Sequence, residues 1–329
     1  MTLSAFLDPR GYPTLLPYVG YHHGEIYIHA EPGENIASNE GLFLECCDGT
    51  KSLAEIALYC NVAPSFISRV AHLCAWWPDP VTARRPAAPD QFVPRLVLAS
   101  NPEEPWLGMG GTLLRDADTI ATCVLSCFHA APLLHLPSRT SSEAAMVCAD
   151  EASVAARLAN VALDQLKLPE AAVRRGTEIS DDLIRSILRD QISSRAEAFH
   201  VREVFVPAGM GHNWDAQLLF EAVLSLISDG LLNCDVHVYS DQPLTRGGRS
   251  VDELHARFEC SYFALREYIR DIDAQSRRKA ALLRVFRHRV AGSRRREWQD
   301  DALLSAVRAR QKQIQHAERF WELQFTELG

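Results

Sequence analysis

No stretch of about eighteen consecutive apolar residues, the length needed to cross a bilayer, occurs anywhere in the 329-residue chain. No membrane span is therefore expected. An excess of basic charge is also lacking: the formal net charge is −8 and the pI about 5.8, which argues against nucleic acid as a partner of the whole chain. The opening segment, residues 1–20, has no basic patch followed by an apolar run, so no secretory signal is read and the expected compartment is the cytoplasm. Nine cysteines are present but no Cys-x-x-Cys pair. Scattered thiols of this kind fit reduced, small apolar core residues better than a disulfide framework. What is present is ordinary for a globular chain: 47% hydrophobic and 23% charged residues, long enough for two domains with cores that need no metal or disulfide.

The first unit is read over residues 1–80. Tyr21–Ala30 alternates like a strand, with a turn at Gly24. Leu42, Phe43, Cys46 and Cys47 sit at helical spacing, and Asp48-Gly49 stops that helix. Ser52, with Glu55 three residues on, forms a capping box that opens a second helix. Ala63-Pro64-Ser65 opens a third, running to about Leu73. The plan is a small winged-helix-like α+β domain. The phrase Cys47–Ala57 resembles the PqqD-like domain, or RiPP recognition element. That resemblance implies a precursor peptide bound by residues 12–80, added as a strand near residues 24–30. An accessory winged helix that only packs or dimerises fits the same residues equally well. Residues 81–94 then read as an extended linker, because residues 78–94 hold five prolines.

From Arg95 the pattern changes. Arg95–Ser100 reads as a buried parallel strand, followed by a loop over 101–111. Further strands are read at 119–128, 162–168, 202–209 and 235–243. Helices are read at 141–161, at 181–198 behind a Ser180 cap, and at 213–230. Strands alternating with helices predict an α/β domain, Rossmann-like, with a mostly parallel sheet covered by helices on both faces. Ligands on such sheets bind beyond the strand carboxy ends. That places a site between the loops 100–111 and 207–216. Residues 250–329 read as helical and charge-rich, and their basic run at 276–298 as a solvated helix face.

Several phrases over 95–329 resemble the PIG-L/LmbE family of zinc-dependent N-deacetylases. Leu96–Leu113 has the frame of its first metal loop and Gly-Met-Gly-Gly-Thr segment, with Pro102, Gly108, Met109, Gly110, Gly111 and Thr112 in place. Residues 206–223 resemble its Gly-His-x-Asp-His loop entering a helix. Residues 238–244, 266–282 (with Lys279) and 316–325 resemble its later segments. The resemblance implies a metal held by two His and one Asp, with a loop Asp as general base and a His steadying the oxyanion.

Carried over position by position, the pattern is altered. The metal positions become Asn101, Glu104 and Asp215; the base becomes Glu103; the oxyanion His is retained as His212; and Trp214 replaces the second motif's Asp. Trp106, Met109 and Trp214 are expected to wall the substrate pocket. Asp215 is also read as a helix cap, as often as a ligand. A divalent metal follows from the resemblance as zinc, and from the oxygen-rich donor set as Mg²⁺ or Mn²⁺. A metal-free site fits as well. Two functions follow, the first the leading reading and the second its alternative. The first is a divergent metal-dependent amide hydrolase, N-deacetylase-like, acting on a small-molecule or peptide-borne substrate in specialised biosynthesis. The second is an inactive relative that binds peptide as a scaffold.

Overall fold

The structure, a computed structural model, describes residues 12–15, 19–22, 25–28, 31–77, 93–129, 141–175, 177–209, 213–240, 263–283, 285–286 and 317–325. Most of the proline-rich stretch, His212 and most of the basic run lie outside them.

The amino-terminal unit holds strands β1 (Tyr12–Leu15), β2 (Val19–His22), β3 (Glu25–Ile28), β4 (Glu31–Asn35) and β5 (Cys74–Trp77). Helices α1 (Ser38–Glu45), α2 (Leu53–Cys60) and α3 (Pro64–Val70) lie between β4 and β5. β2-β3-β4 form an antiparallel sheet, and β1 pairs separately with β5. The three helices fall where the sequence places them. Ser52 and Glu55 form the capping box: Glu55 N–H donates to Ser52 Oγ at 3.3 Å and Ser52 N–H donates to the Glu55 carboxylate at 2.7 Å. Phe43, Ile56, Phe66, Ile67 and Val70 close the small core. Strand β5 was not expected, since it follows the third helix after only a single 3₁₀ turn at Ala71–Leu73.

The second unit contains one seven-stranded sheet, in the order β11-β12-β10-β9-β6-β7-β8. Strands β6 (Arg95–Ala99), β7 (Thr122–His129), β8 (Ala162–Pro169), β9 (Glu203–Pro207) and β10 (Asp235–Tyr239) run parallel. Of the last strands, β11 (Phe263–Asp271) and β12 (Ala317–Phe325), β12 runs antiparallel beside β10 and β11 antiparallel beside β12. The strand period of two sends alternate residues to opposite faces. Leu96, Leu98, Val204, Val206 and Trp321 pack under α7 (Asp181–Ala198) and α8 (Trp214–Ser228). Val97, Val124, Phe205 and Phe320 pack under α4 (Glu104–Asp116), α5 (Ser141–Leu158) and α9 (Ser276–Leu283). This is the expected doubly covered, mostly parallel α/β sheet. Buried residues of the amino-terminal unit continue the second of these clusters, and β5 packs against α9.

Two expectations fail. Residues 263–271 and 317–325 are strands rather than helix. β11 is the edge strand and β12 lies beside it; both alternate charged and apolar residues, and Arg266–Glu322 and Arg319–Glu267 pair across them. The segment 101–111 is a loop only as far as Glu103. From Glu104 onward it is α4, broken at Met109 (φ −138°, ψ 19°).

That break is held by a distant carboxylate. Gly111 and Thr112 N–H, which a regular helix would direct to carbonyls four residues back, each donate to Glu318 on β12 at 2.8 Å. Lys279 Nζ on α9 meets the same carboxylate at 2.6 Å, with both side chains buried. Lys279 is thus part of a buried ion pair and not of a solvated face. A Cβ on Gly111 would stand 2.6 Å from Ile272 Cδ1, so glycine is what lets the helix lie this close to the residue leading out of β11.

Cys46, Cys47, Cys60, Cys74, Cys123, Cys127 and Cys234 are free thiols. Burial pushes the Cys60 thiol up to about 11 and Cys123 and Cys234 to about 12. They are protonated, unreactive core groups at neutral pH.

Candidate functional site

The site forms beyond the carboxy ends of β6, β7, β8 and β9. Ser100 follows β6 directly and is fully buried. Four residues on, α4 begins with Glu104, whose carboxylate folds back over the turn. It accepts from Ser100 N–H at 2.5 Å, from Ser100 Oγ–H at 2.9 Å and from Asn213 Nδ2–H at 3.2 Å. Its extra methylene, compared with aspartate, is what lets the side chain reach back to its own strand end. Asn213 Nδ2 also donates to Ser100 Oγ at 3.2 Å, and its Oδ1 caps α8 by accepting from Ala216 N–H at 3.2 Å. The two loops singled out by the sequence therefore meet at the pair Glu104–Asn213. Gly209, at φ +61°, shapes the second loop, because a Cβ there would stand 2.9 Å from the Gln217 backbone.

Asp215 lies one turn into the same site, but faces the next strand. Both of its carboxylate oxygens accept from Ala171 N–H, at 3.0 and 3.1 Å. Oδ1 also meets Arg174 at 2.7 Å. Asp215 therefore caps the short helix α6 (Ala171–Arg174), which follows β8, while Asn213 takes the cap of α8 that the sequence offered to Asp215. Burial pushes the Asp215 carboxyl up from its usual range, against the opposing pull of Ala171 N–H and Arg174. Arg174 is itself buried. It donates to Pro169 C=O at 2.7 Å and to Asp181 at 2.9 Å, and lies 5.4 Å from the centroid of the Phe128 ring.

The remaining expected residues divide clearly. Glu103 is the N-cap residue of α4 and is partly exposed. Asn101 is partly buried, and its carbonyl accepts the Glu104 N–H at 3.2 Å. Trp214 is 56% exposed at the start of α8. Trp106 and Met109, by contrast, are sealed from solvent in the core under α4 and do not line an open pocket. His212 falls outside the described residues. Ser100, Asn213 and Arg174 were not singled out by sequence. For Arg174 the only signal was indirect: a carboxylate at position 215, with no imidazole beside it in a largely buried place, needs a cation.

The chain's own donors do not suit a zinc ion held in the family's manner. Zinc is bound by thiolates, imidazoles or carboxylate oxygens at about 2.0–2.3 Å. Here the carboxylate at position 104 is met by three donors, and that at 215 by a backbone amide and a guanidinium. Among the described residues no three His, Cys, Asp or Glu side chains come together as a metal-holding group.

No protein-family model matches the chain, and no curated protein does. Solved structures do. The zinc-inhibited form of teicoplanin deacetylase Orf2 superposes with a TM-score of 0.53 at 17% identity, over 71% of this chain and 99% of that one. The fold is that of teicoplanin deacetylase. The A40926 pseudoaglycone deacetylase Dbv21 gives 0.50 at 13% identity, over 73% of this chain and all of that one. The deacetylase–teicoplanin complex gives 0.51 at 17% identity. At these identities the likeness is one of fold, and it bears out the α/β architecture expected for residues 95–329. In this deacetylase fold, α4, α8 and α6 bring Glu104, Asn213 and Asp215 to one edge of the sheet.

Proposed function

We propose that this chain is a divergent protein of the PIG-L/LmbE-like deacetylase fold that binds a ligand at the carboxy edge of its sheet without hydrolysing it. The carrying observation is the state of Glu104. Its carboxylate is met by Ser100 N–H, Ser100 Oγ–H and Asn213 Nδ2–H, so it serves as a structural acceptor joining two loops. Solved structures of this fold are named as a teicoplanin deacetylase and an A40926 pseudoaglycone deacetylase. The ligand proposed here is a compound of the kind so named, small or peptide-borne, with the residue 12–80 unit supplying the contact to a precursor peptide.

A second reading keeps the amide hydrolase, with a divalent ion and with Glu103 or His212 as acid/base. It is favoured by the place of Glu103, the partly exposed N-cap residue of α4 next to Glu104. The two are separated by assaying hydrolysis of N-acetylglucosamine-type and N-acylated peptide substrates with added Zn²⁺ or Mn²⁺. The native chain is expected to be silent, beside an Asn101→His/Glu104→Asp/Asp215→His variant as the restored control. Metal-stimulated turnover by the native chain would overturn the non-hydrolytic reading. Binding of a labelled precursor peptide, read by fluorescence anisotropy and lost on deleting residues 1–80, is the outcome expected for the amino-terminal unit.

A further inference from the structure

We propose that the guanidinium of Arg174 takes over the charge-balancing place of the catalytic metal, locking Asp215 into a metal-free arrangement. This rests on the non-hydrolytic reading but on different atoms. The site's second carboxylate has a full complement of partners from within the fold: Ala171 N–H on both oxygens and Arg174 on Oδ1 at 2.7 Å. Arg174 is held from its other sides by Pro169 C=O, by Asp181 and by the Phe128 ring. It cannot swing away without leaving the buried Asp215 carboxylate with no cation beside it. A divalent ion bonded to the same carboxylate at about 2.0–2.2 Å would sit within a few ångströms of that fixed positive charge. Repulsion between like charges in a poorly solvated pocket opposes binding strongly.

The geometry accounts for two features together. An aspartate stands where an imidazole ligand is expected, because a carboxylate can pair with a guanidinium and an imidazole pairs poorly with one. The guanidinium comes from α6, after β8, a place the resemblance does not assign to any function. The cation is therefore built into the chain and does not have to be taken up from solution.

The test uses the full chain, its Asp215→Asn variant and its Arg174→Gln variant, titrated with Zn²⁺ and with Co²⁺ as a spectroscopic probe. Nine cysteines could capture zinc elsewhere, so the deciding quantity is the part of binding that depends on Asp215. For the wild type that part is expected to be nil, with Asp215→Asn giving the same isotherm. Arg174→Gln is expected to gain at least about tenfold in affinity, roughly 1.4 kcal/mol, with a cobalt spectrum lacking thiolate charge-transfer bands and the gain lost in Arg174→Gln/Asp215→Asn. Wild-type zinc binding abolished by Asp215→Asn overturns the inference. So does a folded Arg174→Gln protein that gains nothing. If Arg174→Gln does not fold by circular dichroism, the comparison of wild type with Asp215→Asn still decides. Failure here is distinct from failure of the functional reading: metal-independent amide hydrolysis by the chelator-treated chain would overturn the latter and leave the Arg174 lock standing.

Discussion

Substituting Glu318 by alanine tests whether the break in α4 is held in the way described. The side chain accepts Gly111 and Thr112 N–H at 2.8 Å each and pairs with Lys279 at 2.6 Å, with its own side chain 2% and that of Lys279 5% exposed. Breaking a buried ion pair from one side strands the other charge and costs about 3–5 kcal/mol. Two orphaned buried N–H groups cost about 1–3 kcal/mol each, but the three losses share one site and do not add. A total of about 4–6 kcal/mol is expected, a large part of the roughly 5–15 kcal/mol that holds a domain together. At about 2–4 °C per kcal/mol for a domain of this size, melting should fall by roughly 8–24 °C. Urea unfolding followed by circular dichroism reads the change directly. Lys279→Met added to Glu318→Ala should recover part of the loss, because it removes the stranded charge. A Glu318→Ala loss under about 1 kcal/mol, or a double variant worse than the single one, would refute the account.

Two further outcomes follow from particular contacts. Gly111→Ala must push a methyl group into Ile272, 2.6 Å away; destabilisation of about 1–3 kcal/mol is expected, and an unchanged urea midpoint would show that the approach of helix and strand is looser than described. For Asp116, burial pushes the carboxyl up, but Arg115 and Arg95 outweigh it and hold it below its ordinary 3.8. The folded value is the depressed one, so its contribution is complete above 3.8 and is lost as pH falls through the folded value. The gap in urea midpoint between wild type and Asp116→Asn should therefore be constant at neutral pH and narrow only in the acid range. A gap that stays constant down to about pH 2, well below the usual carboxylate value, would contradict it.

The parallel core was legible because its signal is local. Leu96-Val97-Leu98 and Val204-Phe205-Val206 are short apolar runs buried on both faces, and nothing but a covered parallel strand wants them. The capping residues Ser52 and Ser180 were legible for the same reason. The errors lie where a distant partner decides. Glycines at 108, 110 and 111 argue against a helix by propensity, yet α4 passes through them because Glu318, some two hundred residues away, accepts the freed amides. Residues 263–271 carry charges that suit a helix, and become a strand because each has a cross-strand partner on β12. At the site, the meeting of the two loops was readable from topology. The pairing of Asp215 with Arg174 was not, since forty-one residues separate them and no local pattern links the two.

The position of β12 has a consequence for how the molecule is made. It is the last described strand in the chain, yet it lies inside the sheet, between β11 and β10, and carries Glu318 to the broken helix. During synthesis, the strands from β6 to β10 emerge in time to pair with one another. Until residues 317–325 have left the ribosome, however, β10 keeps an open edge, and two amides of α4 and the Lys279 ammonium lack their acceptor. An exposed edge of this kind invites pairing with other chains. Chains cut short before β12 should therefore gather in aggregates, while the finished chain closes that edge in its final folding step.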